Sequence, residues 1–382
     1  MITVASDDTT LTVHEFDAPA LRDRPEVNRL LVDLGFGPML EDDIRSPFGR
    51  NEIWSGRTAH GTAVFVKRIV GAEPDVRARV RRCGDFERLL RLNDHTRFGD
   101  DLTVPRFLGA REDDGLLVYE AIADHVPGSH AMAGETFSAA TAFAAGRAIA
   151  AIHSLERPAG FTMDVSSPAL PSAELSTALT VDHFERISHG ELQAWRLMHS
   201  DRTLTDAVAA LLDATRAAPQ TSCHCDFRVD QLLVAPDGSV VVTDFEEFRL
   251  ADGARDVGSF AGEWLYRSVL DIVTTRGDDV VEDRHLDHDA VLRRGIEKIV
   301  RLRPRVEEFA AGYRSARTTA EDPDFHVRAT AFAGWHMIDR LLAGSAHRAA
   351  LSGIERAAAG IGRTVLTDPR RFAPVVGLAA AV

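Results

Sequence analysis

The amino-acid sequence predicts an α+β protein with two lobes, a small antiparallel β-rich lobe followed by a large, mainly helical lobe. Strand-like runs bounded by turn signals are concentrated before about residue 122. After that point most long segments carry apolar residues at helical spacing. One further hairpin pattern, around "APDG" at 235–238, is embedded in the helical lobe. We therefore divide the chain into residues 1–122 and 123–382.

The first lobe is predicted to contain a short sheet and two helices. In chain order it reads as helix, strand, strand, helix, strand and strand, over residues 24–37, 51–56, 62–70, 75–93, 104–111 and 115–122. The first helix has an apolar stripe and stops at Gly35. The segment "RTAHG" has the length of a hairpin turn, so the first two strands are expected to pair antiparallel.

The second lobe is predicted to be helical apart from the embedded hairpin. An alanine-rich helix covers 138–156, and helix continues over 191–218. Two short strands lie in 221–234 and 239–248, on either side of "APDG". From residue 255 to 366 nearly all of the sequence has a helical pattern.

Composition excludes several classes of protein. The net charge is −14 and the chain has no Lys/Arg cluster, which argues against a nucleic-acid partner. No apolar run reaches the roughly 18 residues that a membrane span needs. Three cysteines are too few for a disulfide framework, and the first residues lack the features of a secretory signal. We therefore expect a soluble, cytoplasmic protein with no membrane partner.

The segment "TSCHCDFRVDQLLV", residues 221–234, raises the question of a metal clip at Cys223-His224-Cys225. Consecutive residues on a strand point to alternate faces, so these three side chains are not expected to converge on one ion. Structural zinc also favours spaced pairs of ligands. We therefore interpret the cysteines as small buried apolar residues beside a loop.

The chemistry is instead predicted to lie immediately after the cysteines. "HCDFRVDQ" matches H-x-D-x-[KR]-x-x-N except that Gln231 stands in the last place, and Asp244 follows at the end of an apolar strand. This is the layout of a kinase catalytic loop followed by a metal-binding strand. Asp226 would accept the proton of the acceptor hydroxyl, and Arg228 would offset charge on the transferred phosphoryl group. Gln231 and Asp244 would supply oxygen ligands to Mg²⁺.

The first lobe contains the residues that such a kinase needs for ATP. Only two of the 44 basic residues are lysines, and Lys67 ends the apolar strand "TAVFVK". It is expected to contact the α- and β-phosphates of ATP, held there by Glu87 of the following helix. Lys298, by contrast, is expected on an exposed helix face.

Four further residues complete the predicted ATP site. "SPFGRNEIWSG", residues 46–56, occupies the place of the phosphate-covering loop, with Gly49 and Asn51 as the expected contacts. It lacks the G-x-G-x-x-G pattern. Glu120 and Ile122 lie where the segment between the lobes would offer backbone groups to adenine.

This constellation resembles the aminoglycoside phosphotransferase and choline kinase-like branch of the protein kinase-like fold. The signs are Asp244-Phe245-Glu246 in place of D-F-G, the absence of an A-P-E segment, and "GARDVGSFAGEW" soon afterwards. The resemblance implies that Asp256 braces the catalytic loop and that His224 supports it. It departs from the family at Gln231, which is one methylene longer than asparagine, and at Cys225.

Several segments more narrowly resemble the kinase subunit of class V lanthionine synthetases: "GRNEIWSG…VFVKR", "DFRVDQLL", "DFEEFRL…ARDVGSFAGEWL" and "VRATAFAGWHMIDRLLAG…ERAAAGIGRT". The resemblance implies ATP-dependent phosphorylation of Ser or Thr in a ribosomally made precursor peptide, with a partner lyase, and a cyclase, acting afterwards. Two alternatives stay open. One is a small-molecule phosphotransferase for an aminoglycoside or another hydroxylated metabolite. The other is a catalytically silent nucleotide-binding subunit.

Overall fold

The computed structural model describes residues 20–46, 51–93, 98–99, 101–274, 276, 287–318, 322–346 and 348–379. These residues form two compact units. The first unit draws on Met1–Glu87 and Val104–Ala123, and the second on Arg88–Thr103 and Asp124–Val382. The architecture is α+β, because the first unit contains an antiparallel sheet and the second is mainly helical.

The first unit is built on a four-stranded antiparallel sheet. Its elements are α1 (Pro25–Asp33), β1 (Glu52–Arg57), β2 (Ala63–Arg68), α2 (Glu73–Leu92), β3 (Phe107–Arg111) and β4 (Leu116–Glu120). The strand order is β1-β2-β4-β3. The last turn of α2 groups with the second unit. The six elements agree in type and order with the sequence prediction.

The core of the first unit lies between α1 and one face of the sheet. Val27, Leu30 and Leu31 of α1 are buried at i, i+3 and i+4, together with Val64 and Val66 of β2. Gly35, at φ +84°, lies just beyond the end of α1. Because side chains alternate along a strand, Lys67 points to the face of β2 opposite Val64 and Val66.

The second unit has two small sheets and eleven helices among the described residues. The strands are β5 (Val126–Pro127), β6 (Gln220–Cys223), β7 (Leu232–Val234), β8 (Val240–Val242) and β9 (Arg249–Asp252). The helices are α3 (Gly128–Ala133), α4 (Ala139–His153), α5 (Ala173–Thr177), α6 (Val181–Phe184), α7 (His189–His199), α8 (Arg202–Ala217), α9 (Ala254–Leu270), α10 (His288–Ala316), α11 (Phe325–Ser345), α12 (Gly353–Thr367) and α13 (Pro369–Val376). The sheets are β5-β7-β8 and β6-β9, both antiparallel.

The continuous helical pattern over 191–218 is divided into two helices, α7 and α8. The break falls at Asp201, whose carboxylate accepts a hydrogen bond from the Leu204 backbone N–H at 3.1 Å. An aspartate in this position caps a new helix by satisfying an N–H that has no partner within it. None of the described helices is both long enough and apolar enough to cross a membrane.

Helices α4 and α10 cross at two glycines. A methyl group placed on Gly146 of α4 would lie 2.0 Å from the Phe309 carbonyl oxygen, and one on Gly312 of α10 would lie 2.1 Å from that of Phe143. The two backbones therefore approach within a distance that no residue with a Cβ allows. This crossing sets the position of the C-terminal end of α4.

The expectation that Lys298 is exposed is wrong. Its side chain lies on α10 with only 2% of its area exposed, and its ammonium donates to the backbone carbonyl of Arg276. The buried carboxylate of Asp271 lies nearby and is one of the charges that Lys298 balances. Helical periodicity does not reveal which other segments cover a helix face, so this burial was not foreseeable from the pattern.

Candidate active site

The candidate catalytic loop, residues 224–231, connects β6 to β7. The strand β6 pairs with β9, and β7 pairs with β8, so both ends of the loop are anchored in sheets. The loop ends in a single 3-10 turn over Val229–Gln231. Short anchored loops of this kind hold side chains in defined positions.

Asp226 makes three side-chain hydrogen bonds within the loop. Its Oδ1 accepts from Arg228 Nε at 2.8 Å, and its Oδ2 accepts from Arg228 Nη2 at 3.1 Å. Gln231 Nε2 also donates to Oδ2, at 3.3 Å. The carboxylate keeps 32% of its side-chain area exposed. The three residues predicted for proton acceptance, charge compensation and metal binding are therefore in mutual contact.

The contact with Asp226 also fixes the orientation of the Gln231 amide. Because Nε2 faces a carboxylate, the amide oxygen lies on the other side of the amide group. The backbone of Gln231 is held as well, since its carbonyl accepts from the Thr243 backbone N–H at 2.9 Å and from Thr243 Oγ1 at 3.0 Å. Thr243 precedes Asp244, so this backbone contact links the two residues predicted to bind the metal.

His224 is a second link between the loop and the end of β8. Its Nε2 donates to the Thr243 carbonyl at 2.8 Å, and its Nδ1 accepts from the Asp226 backbone N–H at 3.4 Å. The imidazole lies against Phe245, with ring centroids 4.9 Å apart. His224 thus contacts the residues on both sides of Asp244.

Two residues of the candidate site have strained backbones. Cys225 and Asp244 have φ of +64° and +67°, and they are two of the four non-glycine residues with positive φ in the described part of the chain. The left-handed region costs of order 1 kcal/mol for a residue with a Cβ, and such strain is often concentrated at functional sites.

Asp256, at the start of α9, accepts hydrogen bonds from the loop backbone. Its Oδ1 accepts from the Cys225 N–H at 2.8 Å and its Oδ2 from the His224 N–H at 2.9 Å. The side chain is completely buried. Arg255 adds a contact from the same helix, since its Nε donates to the Cys225 carbonyl at 3.0 Å.

His153 and Tyr313 extend this support, and sequence reasoning missed both of them. His153 Nε2 lies 3.1 Å from Asp256 Oδ2, and its Nδ1 lies 2.9 Å from the Tyr313 hydroxyl. Because Nε2 faces a carboxylate, it is the donor, and the Tyr313 hydroxyl then donates to Nδ1. Burial raises the pKa of Tyr313, which favours its protonated form. One signal was present, a histidine at the end of an apolar alanine-rich helix, where a buried polar contact is needed.

The cysteines are buried free thiols, as the sequence predicted. Cys223 Sγ donates to the Ala251 carbonyl at 3.3 Å, and burial raises the pKa of this thiol well above its usual range. Among the described residues, the potential metal ligands that converge are His153, Cys223 and Asp256, whose ligand atoms lie within 4.8 Å of one another. Both oxygens of Asp256 already accept hydrogen bonds, so the group is better explained as support for the loop.

The residues predicted to bind ATP lie in the first unit. Lys67 on β2 and Glu87 on α2 are both buried, which requires partners of opposite charge for an ammonium and a carboxylate. Asn51 Oδ1 accepts from the Val70 backbone N–H at 3.2 Å. Glu120 ends β4 at the surface, and Ile122 follows it. Gly49 lies outside the described residues.

The charges around Arg228 include those of Asp230 in the loop and of Glu263, which belongs to a charged cluster from α9 and α11. Arg228 Nη1 contacts Asp230 at 3.1 Å, and its pKa is raised because nearby carboxylates outweigh the effect of burial. Glu263 of α9 accepts from His336 Nε2 at 2.8 Å and lies 4.0 Å from Arg340 Nη1. Burial alone would raise the pKa of Glu263, but the hydrogen bond from His336 and the nearby charges outweigh that effect and lower this pKa to about 2.

Comparison with known proteins decides the family. The profile described as the phosphotransferase enzyme family matches residues 57–296, well over half of the chain. The chain belongs to the phosphotransferase enzyme family. As a member, it is an enzyme of the kinase and phosphotransferase class that acts on hydroxyl acceptors. No curated protein sequence matches it.

Solved structures resemble this phosphotransferase at low sequence identity. The amicoumacin kinase hAmiN, in complex with AMP-PNP, Ca²⁺ and Ami, is 14% identical with a TM-score of 0.51, covering 91% of this chain and 95% of its own. A choline/ethanolamine kinase family protein from Mesorhizobium loti is 13% identical with a TM-score of 0.49, covering 94% and 99%. The aminoglycoside phosphotransferase APH(2'')-Ib, bound to ADP, is 12% identical with a TM-score of 0.47, covering 94% and 99%. The amicoumacin kinase shows that the fold of this phosphotransferase is kinase-like.

Proposed function

We propose that this phosphotransferase transfers a phosphoryl group from ATP to Ser or Thr hydroxyls of a ribosomally made precursor peptide. The reaction would belong to class V lanthipeptide biosynthesis, where a partner lyase then eliminates the phosphate. The observation that carries the chemistry is the contact of Arg228 and Gln231 with Asp226. The peptide acceptor is supported by the sequence segments that resemble the kinase subunit of class V lanthionine synthetases.

Asp226 would act as the general base. Its carboxylate is held by three side-chain hydrogen bonds and is still partly exposed, so an acceptor hydroxyl can reach it. Arg228 would compensate charge that develops on the transferred group, since its guanidinium lies beside Asp226 and is almost surrounded by protein. Asp256 would keep the backbone just before Asp226 in place, and His224 would hold the Asp226 backbone N–H.

The residues present suit a nucleotide with a divalent cation. Asp244 offers a carboxylate and Gln231 an amide oxygen, and both are hard oxygen donors of the kind Mg²⁺ prefers. When bound, ATP with Mg²⁺ supplies the phosphoryl group. Lys67 would bind the phosphates from the first unit, and Glu87 would keep its ammonium in position.

A small-molecule acceptor is the second candidate. It is supported by the amicoumacin kinase, a small-molecule kinase of the same fold that is bound to AMP-PNP, Ca²⁺ and Ami in its structure. Whether the acceptor is a peptide or a small molecule depends on the side chains that bind it. The resemblance in fold extends only to the framework that carries those side chains.

The test is to incubate the chain with Mg-ATP and two sets of acceptors, followed by mass spectrometry, with buffer alone as the blank. The acceptors are a Ser/Thr-containing precursor peptide encoded near the gene and a panel of aminoglycosides and amino alcohols. We expect phosphate on the peptide and none with Asp226→Asn. Turnover with the small molecules alone would overturn the peptide assignment, and nucleotide binding without transfer to any acceptor would indicate a catalytically silent subunit.

A further inference from the structure

The direction of the Asp226 side chain depends on the backbone of Cys225. The φ of Cys225, +64°, lies in the left-handed region, which a residue with a Cβ keeps only where its surroundings hold it there. Two rigid peptide planes meet at its Cα, one shared with His224 and one shared with Asp226. The conformation of Cys225 is therefore fixed only when both planes are held, and the second plane sets where the Asp226 side chain begins.

Different residues hold the two planes. Asp256 Oδ1 accepts from the Cys225 N–H at 2.8 Å and so holds the first plane. In the second plane, the Cys225 carbonyl accepts from Arg255 Nε at 3.0 Å, whereas the Asp226 N–H lies 3.4 Å from His224 Nδ1. A hydrogen bond from a charged donor is stronger than one between neutral groups, and the bond to His224 is long. Arg255 is therefore the principal contact on the second plane.

Two other parts of the same unit hold Arg255 itself. Its Nη2 donates to the Leu170 carbonyl at 2.7 Å, and its guanidinium lies over the Phe332 ring of α11, 5.7 Å from the ring centroid. The donors of a guanidinium lie in one rigid plane, so a single arginine can bind two carbonyls at once in a fixed geometry. Arg255 thus binds the loop from a defined position.

We propose that Arg255 is a positioning residue for Asp226, holding the left-handed conformation of Cys225 and tying the loop to Leu170. The inference rests on the proposed function, because it takes Asp226 as the base. Arg255 acts through the backbone of the loop and does not touch the reacting atoms. Its removal should therefore affect the chemical step and leave the binding of ATP and acceptor intact.

Kinetics with Mg-ATP and the precursor peptide test this role. We expect Arg255→Ala to lower kcat about tenfold, with the KM of the peptide and the affinity for ATP within about twofold of wild type. Arg255→Lys should keep part of the activity, because an ammonium can still bind one of the two carbonyls, and it also serves if the alanine variant is poorly folded. A higher KM with unchanged kcat, or no effect of Arg255→Ala, would overturn the proposal.

A glycine at position 225 makes the test specific to the backbone. Glycine adopts positive φ about as readily as negative φ, so Cys225→Gly removes the strain against which Arg255 holds the loop. In the Cys225→Gly background we expect Arg255→Ala to lower kcat by less than about threefold. The full loss in that background would contradict a role through the conformation of residue 225.

Arg294→Ala is the matched control. Arg294 of α10 also bridges two backbone carbonyls, since its Nε donates to that of Ile272 at 2.8 Å and its Nη2 to that of Thr274 at 2.5 Å. Both carbonyls lie outside the loop, so Arg294→Ala should lower stability but leave kcat within about twofold. An equal loss of kcat in the two variants would contradict the proposal. If Asp226→Asn left turnover unchanged, the proposed function of the loop would fail instead.

Hydrogen exchange of the loop amides gives a measurement that needs no acceptor. Arg255→Ala should speed exchange in residues 224–231 several-fold relative to β6, which reports opening of the whole unit. Arg294→Ala should leave this ratio unchanged. A ratio that does not respond to Arg255→Ala would show that Arg255 does not hold the loop.

Discussion

Asp226 and Asp256 are the same residue type in opposite surroundings. Asp256 is completely buried and accepts from two backbone N–H groups and from His153, so both of its oxygens serve to hold the loop. Asp226 is bound by side chains only and keeps a third of its area exposed. Side-chain partners move more readily than backbone partners, so Asp226 is the residue that we predict to exchange a proton with an acceptor.

At the scale of residues, Asp226→Asn is the most direct test of this assignment. An amide keeps the size of the side chain but cannot accept the hydroxyl proton, so turnover should fall by about 10²–10⁴. Nucleotide affinity should stay within about threefold. Steady-state kinetics and nucleotide titration measure the two effects.

Asp230→Asn is the control for this variant. Asp230 shares Arg228 with Asp226 but is more exposed, and it should cost less than tenfold. Near-full activity of Asp226→Asn, or an equal loss with Asp230→Asn, would contradict the assignment of the base.

Among the elements, α4 and α10 support the site indirectly, although neither carries a predicted catalytic residue. Their glycine crossing brings the end of α4 close to α10, where His153 meets Tyr313. His153 in turn binds Asp256, which holds the catalytic loop. Three buried side chains, those of Tyr313, His153 and Asp256, therefore connect the two packed helices to the backbone of the loop.

Gly146→Ala should destabilise the protein, because its new methyl group would overlap the Phe309 carbonyl. Overpacking of this kind typically costs about 1–3 kcal/mol, and contact with backbone puts the expected loss at the upper end. The free energy of unfolding from urea titrations measures it.

Gly360→Ala provides the matched control for the crossing. Gly360 is exposed within α12 of the same unit, and apart from its chain neighbours and the nearby backbone of its own helix no described atom lies within 4 Å of the position that a methyl group would occupy there. Alanine should therefore stabilise that helix by about 0.5–1 kcal/mol. Equal effects of the two substitutions would show that the α4–α10 crossing is looser than the close approach of the two backbones implies.

For the molecule as a whole, the division into a sheet-containing unit and a helical unit could be predicted from hydrophobic periodicity. Alternation in "TAVFVK" and the i, i+3, i+4 pattern in α1 are local signals, so single segments contain them. The break at Asp201 was missed because the apolar pattern continues across it. The burial of Lys298 was missed because it depends on a segment that lies elsewhere in the sequence.

The same distinction explains which parts of the candidate site were predicted. Asp226, Arg228 and Gln231 lie within six residues, so their spacing alone indicated that they work together. His153 lies 73 residues from Asp226, and only the fold brings it to Asp256, which holds the loop. Sequence spacing cannot identify contacts of this range without knowledge of helix packing.

Nucleotide binding should be visible in the stability of the whole protein. A ligand at about 100 times its Kd stabilises the folded state by about 2.7 kcal/mol. We expect such an increase with Mg-ATP, its reduction when EDTA removes the metal, and its loss in Lys67→Ala. Thermal unfolding with and without nucleotide is the measurement.

The other lysine of the chain is the control for this experiment. Lys298→Ala should lower the stability of the free protein, because it removes a buried cation near Asp271, yet keep the increment from Mg-ATP. Loss of the increment in both variants would mean that it does not report phosphate binding by Lys67.

The three buried thiols allow local opening of each unit to be measured by their alkylation. Cys83 lies in the first unit, and Cys223 and Cys225 lie in the second, all of them free and inaccessible to a water-soluble reagent in the folded state. Alkylation can therefore occur only after a unit opens. Mass spectrometry of peptides labelled over time would give separate opening rates for the two units without any introduced probe, and a ligand that closes the loop beside Cys225 would slow only the second rate.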